Sequence, residues 1–139
     1  MIIRDINKID RLAEDILGQA NGYVSVDMID YSFIKESSSS LSAIKIEIPV
    51  LTETTLLGLV KELKEVTDSK INSMLIYFSA KTNFDKGQPT MDEQLDLFHN
   101  TIKEIVPANV DIIWGIGESV SNYDSNTILI VVGYSKDEK

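Results

Sequence analysis

The sequence of 139 residues predicts an α/β (α+β) domain: a four-stranded mixed sheet with two packed crossover helices and an N-terminal connecting helix. Three observations predict it. Apolar stripes at helical spacing alternate along the chain with short apolar runs, an order that sets strands side by side with helices crossing between them. The run Met74-Leu75-Ile76-Tyr77-Phe78 is apolar at every position, as in a central strand covered on both faces. Two further apolar runs, 110–116 and 127–132, are separated by residues rich in Ser, Asn and Asp with no helical stripe. That spacing predicts an antiparallel hairpin with a long loop, which makes the sheet mixed.

The elements follow in order. Ile2, Ile3, Ile6, Ile9, Leu12, Ala13, Ile16 and Leu17 recur every three or four residues, which is one face of a helix. Gly18 and Asn21-Gly22 end that helix, because both residue types accept the left-handed turn of a helix terminus. Residues 27–34 read as a short second helix, and the four serines at 37–40 as a flexible loop. Ala43, Ile44, Ile46 and Ile48 alternate in part with Lys45 and Glu47, giving a strand with one wetter face that Pro49 closes. Thr52 or Glu53 opens a helix with the stripe Leu56, Leu59, Val60, Leu63 and Val66. Thr90 and Glu93 form a capping box ahead of Leu95, Phe98, Ile102, Ile105 and Val106.

Composition closes several classes of chemistry. There is no cysteine and one histidine, which excludes disulfides, thiolate metal sites, cysteine nucleophiles and histidine clusters. The formal charge is −9, from 13 basic and 22 acidic residues, and this argues against a nucleic-acid backbone binder. It also argues against an anionic membrane surface. The N-terminus lacks the apolar run of a signal peptide, and no run reaches the roughly 18 residues of a membrane span. The expectation is a cytoplasmic protein with no direct membrane insertion.

The segment with most chemical interest is Gly22-Tyr23-Val24-Ser25-Val26-Asp27-Met28-Ile29-Asp30. It sets two carboxylates three residues apart where a loop enters a helix. Asp27 as a helix cap, with Asp30 in the first turn, explains both by the helix dipole alone. The chemical alternative is a carboxylate pair that polarises a water or faces a metal-bound phosphate.

This segment resembles the catalytic loop of the FtsZ and tubulin superfamily, whose bacterial form reads Gly-x-x-Asn-x-Asp-x-x-Asp after a long helix. The rest of the chain is similar to that family's C-terminal domain in matching order. Residues 73–79 with Asn83-Phe84-Asp85 resemble its Gly-Gly-x-Asp-Leu strand and turn. Asn109-Val110-Asp111-Ile112-Ile113-Trp114-Gly115 resembles its Asn-Ile-Ile-Phe/Trp-Gly strand. Ile128-Leu129-Ile130-Val131-Val132-Gly133-Tyr134 is similar to its closing strand.

The resemblance implies a division into a connecting helix (1–21), an acidic loop with a short helix (22–36), the α/β domain (37–135) and a polar tail (136–139). It implies a polymer-interface loop of Gly22, Ser25, Asp27 and Asp30, with Asp27 and Asp30 as the catalytic acids. These would act in trans on GTP and a divalent cation held by the nucleotide-binding domain of a neighbouring FtsZ-like molecule. No cofactor is expected in this chain itself, which has no Gly-rich phosphate loop, and no activity from it alone. Ser25 stands where the family has Asn. The alternative reading is a non-catalytic module of the same fold that regulates filaments or binds protein partners, including copies of itself.

Other features have plainer readings. His99 reads as a partly exposed helix residue, Trp114 as core, and Lys61, Glu62, Lys64 and Glu65 as a solvated face. Asp92, Glu93 and Asp96 read as a dipole-favoured helix start.

Overall fold

The computed structural model describes residues 2–17, 21–24, 28–48, 52–67, 70–80, 91–118 and 126–135. The strands are β1 (Ile2–Ile3), β2 (Asn21–Val24), β3 (Ser40–Ile48), β4 (Ile71–Ala80), β5 (Asp111–Glu118) and β6 (Asn126–Tyr134). The helices are α1 (Ile6–Leu17), α2 (Met28–Ser37), α3 (Glu53–Val66) and α4 (Met91–Ile105). All described strands join one mixed sheet in the order β1-β3-β6-β4-β5-β2.

The α/β class with a mixed sheet and crossover helices is therefore present, with two short edge strands more than the four expected. Strand β1 pairs Ile2 with Ile44 and Ile3 with Ala43. Those isoleucines are in phase with the α1 stripe, but α1 begins later. Asp5 caps it, its Oδ1 accepting from the backbone N–H groups of Asn7 (2.9 Å) and Lys8 (3.3 Å), which satisfies donors that no helical turn precedes. The second addition, β2, pairs Asn21, Gly22 and Val24 with Glu118, Gly117 and Ile116 of β5.

The expected β5–β6 hairpin is not formed. Strand β6 lies antiparallel between β3 and β4, while β5 lies parallel on the far side of β4. The reason is burial: Asn126 to Gly133 are all buried, and a strand apolar on both faces is most stable at the centre of a covered sheet. The four-serine loop shrinks to Ser38 and Ser39, because Ser37 ends α2 and Ser40 begins β3.

Side-chain alternation divides the core into two layers. Met74, Ile76 and Phe78 of β4, with Ile128, Ile130 and Val132 of β6, pack against Leu56, Leu59, Leu63 and Val66 of α3 and Phe98 and Ile102 of α4. Leu75 and Tyr77, with Leu129 and Val131, face the other way, onto Ile9, Ala13 and Leu17 of α1 and Tyr31 and Ile34 of α2. Helix α3 starts at Thr52, whose hydroxyl accepts from Thr55 N–H at 3.2 Å while Thr55 Oγ1 accepts from Thr52 N–H at 2.8 Å. This is a capping box closed by threonine rather than by an acid. Thr90 lies outside the described residues. A buried amide pair, Asn126 Nδ2 to Gln94 Oε1 at 3.0 Å, ties the start of β6 to α4.

Candidate functional site

Asp30 lies in the first turn of α2, partly exposed, where a negative charge is favoured by the helix dipole. Ile29 and Phe33 on the same helix are 77% and 62% exposed. They are four residues apart, so they neighbour one another on the helix surface, with Asp30 beside them. Ser25 and Asp27 lie outside the described residues. Gly22 is placed in β2 rather than in the loop, a correction to the sequence reading, because Asn21 to Val24 pair with the end of β5. The acidic segment therefore leaves the edge of the sheet and enters α2 within a few residues.

The opposite side of α2 fixes its position. Tyr31 and Ile34 are 2% and 0% exposed and pack into the α1 layer. The Tyr31 hydroxyl donates to Asp10 Oδ1 of α1, and Lys35 Nζ lies 3.0 Å from both Asp10 oxygens. The Tyr31 hydroxyl, and after it Lys35, holds the Asp10 carboxyl below its ordinary range against the opposing effect of burial. Burial, with Asp10 next, pushes the Tyr31 phenol well up. At its C-terminal end α2 meets β6 at Gly133, where an added Cβ would lie 2.1 Å from Ser38 Oγ.

Sequence reasoning missed this bracket. Tyr31 and Lys35 are spaced to share a helix face, but nothing in the sequence joins them to Asp10 on another helix. A buried tyrosine flanked by a lysine four residues on was the available signal.

The remaining polar and aromatic candidates fall elsewhere. His99 is exposed on α4 with its ring 5.2 Å from that of Trp114. Trp114 is half-buried and meets Phe98 edge-on at 5.9 Å. Both border a shallow groove of about 280 Å³ with Leu95, Asp96 and Ile116. A more polar cleft of about 470 Å³ lies at the other end of the sheet, among Arg4, Ser39 to Ser42, Glu65, Lys70 and Tyr134. Lys61, Lys64 and Glu65 are exposed as expected, while Glu62 is partly buried. Among the described residues no three His, Cys, Asp or Glu side chains cluster as metal ligands would. No helix among them is long and apolar enough to cross a membrane.

No family model matches the sequence, and no curated protein matches it. Among solved structures, an empty FtsZ dimer from M. jannaschii matches 92% of this chain with a TM-score of 0.58 and 18% sequence identity. The matched part is 36% of that protein's chain. The likeness establishes an FtsZ/tubulin-like fold.

Proposed function

We propose that this FtsZ-like domain forms one face of a tubulin-like polymer interface and presents its acidic segment to the nucleotide-binding domain of a neighbouring molecule. In that reading Asp27 and Asp30 face GTP and its divalent cation, both held by the neighbour. A carboxylate there accepts a hydrogen bond from the attacking water and orients it in line with the phosphorus. The cation and other positive groups of the neighbour offset the repulsion between carboxylate and phosphate. Ser25 belongs to the same interface loop, which follows Gly22 and the rest of β2 in the chain.

One observation carries the proposal. The helix that bears Asp30 exposes Ile29 and Phe33 on the surface beside it, while Tyr31, Ile34 and Lys35 anchor it from behind. Adjacent apolar side chains beside a carboxylate are what a contact centred on that acid requires.

The test mixes this chain with the FtsZ of the same organism and reads pelleted polymer and GTP turnover. The chain is expected to change both at substoichiometric amounts, and Asp27→Ala and Asp30→Ala to lose the effect on turnover. Micromolar binding of GTP by this chain alone, or mixtures indistinguishable from FtsZ alone, would sink the reading. The alternative is a filament-regulating module with no catalytic part, which the exposed Ile29–Phe33 pair serves equally well. It predicts that Asp30→Ala keeps the full effect on polymer mass.

A further inference from the structure

The two edges of the sheet differ in how they are protected. On one side β1 covers β3 at Ala43 and Ile44. The next stretch of β3 carries exposed Lys45 and Glu47, 3.9 Å apart as an ion pair. Charged side chains and a short covering strand are devices that keep an edge from pairing with another chain. On the other side β2 covers β5 from Ile116 to Glu118. Asp111 to Gly115 have no strand on their outer side among the described residues. This window carries Ile112, Ile113 and Trp114, all half-buried, with no lysine and no proline.

We propose that this window binds a second copy of this chain, β5 against β5, antiparallel about a twofold axis through Ile113. The two six-stranded sheets become one continuous sheet. Parity selects the register. An axis normal to the sheet keeps the α4 face of both copies on the same side, so opposed residues must share a face. Ile112 and Trp114 pack on the α3–α4 side and Ile113 on the α1–α2 side. Pairing Ile113 with Ile113 of the second copy sets Ile112 against Trp114 and Asp111 against Gly115.

All window residues then find partners on their own face, an aromatic meets a β-branched side chain, and no like charges oppose one another. Shifting the register by two residues leaves fewer of them paired. Strand β2 runs antiparallel to β5 and ends at Val24, opposite Ile116, so the incoming strand is confined to positions 111–115 of β5. The contact is small, roughly 1,000 Å² in all, which is the size of a transient interface. The expected dissociation constant is that of a transient dimer, on the order of 100 μM.

Sedimentation velocity from 5-fold below to 5-fold above that concentration reads the proposal directly, without nucleotide. The wild-type chain is expected to pass from monomer to dimer. Ile113→Lys and Ile113→Glu, which set like charges face to face on the axis, should each weaken the dimer at least tenfold. An equimolar mixture of the two should restore it. A wild-type chain that stays monomeric, or a dimer indifferent to both substitutions, overturns the proposal. If either variant fails to fold by circular dichroism, hydrogen exchange of the wild-type chain decides. Amides 111–115 should gain protection as concentration rises, and unchanged exchange there overturns the proposal equally.

Discussion

Replacing Gly133 by alanine drives a methyl group into the seam between β6 and the end of α2. The new Cβ would lie 2.1 Å from Ser38 Oγ and 3.1 Å from both Ser38 Cβ and Ile34 Cγ2. The hydroxyl can rotate away, since it has no hydrogen-bond partner among the described residues. The two carbon contacts cannot be relieved so easily. Strand β6 is hydrogen-bonded on both sides along its length, so α2 must give way by a few tenths of an ångström.

Overpacking of this kind costs about 1–3 kcal/mol. Alanine returns about 0.5–1 kcal/mol by restricting the unfolded chain. The net expectation is a loss of about 1–2 kcal/mol, read in urea as a lower midpoint with an unchanged slope. Ser38→Gly removes both serine contacts, so the alanine should cost less in that background, with a coupling of at least about 0.5 kcal/mol. A Gly133→Ala chain as stable as wild type, or an undiminished penalty in the Ser38→Gly chain, would refute the close approach.

The Asp10–Tyr31–Lys35 bracket makes stability depend on pH in two directions. Asp10 has a lowered pKa in the folded state, so its contribution is complete above the ordinary value of 3.8 and fades as pH falls below it. Asp10→Asn should flatten that acid arm in urea melts taken from pH 5 to pH 2. Tyr31 is shifted upward, so its contribution is complete below pH 10 and fades as pH rises beyond it. Tyr31→Phe should cost about 1 kcal/mol at neutral pH and shrink the alkaline arm, with buried Tyr77, also shifted upward, keeping part of it. Leu59, fully buried between α3 and the sheet, should cost about 2–5 kcal/mol as alanine, measured by the same melts.

What the sequence revealed and what it hid have physical causes. The continuous apolar run of β4 and the stripes of α3 and α4 were legible because burial on known faces imposes a period. The Asp5 cap sets the true start of α1, but Ile2 and Ile3 fall in phase with its stripe and mask the change from strand to helix. Strand β2 is too short to carry a period, and its Asn21-Gly22 is equally a helix stop. The place of β6 is set by competition among strands for the central position, which adjacency in sequence does not record. Of the candidate site, the position of Asp30 in the first turn of α2 was legible from a local pattern. The bracket from Asp10 and the clasp at Gly133 join residues 21 and 95 positions apart, and local patterns say nothing of those.

Surface and support can be separated on α2. Its inner side is held by Tyr31, Ile34, the Asp10 bracket and the Gly133 clasp, while Ile29 and Phe33 contribute little to the monomer because both are largely exposed. Serine at both positions should therefore change urea stability by no more than about 1 kcal/mol in all, since little buried area is lost. The same double variant should abolish the effect on pelleted FtsZ polymer, because the apolar surface beside Asp30 is gone. Tyr31→Phe predicts the reverse pattern, with lower stability and an effect on polymer that persists wherever the chain is folded. If the serine variant loses stability in proportion to activity, Ile29 and Phe33 belong to the domain's own packing. If it keeps its full effect on polymer, the contact lies elsewhere on the fold.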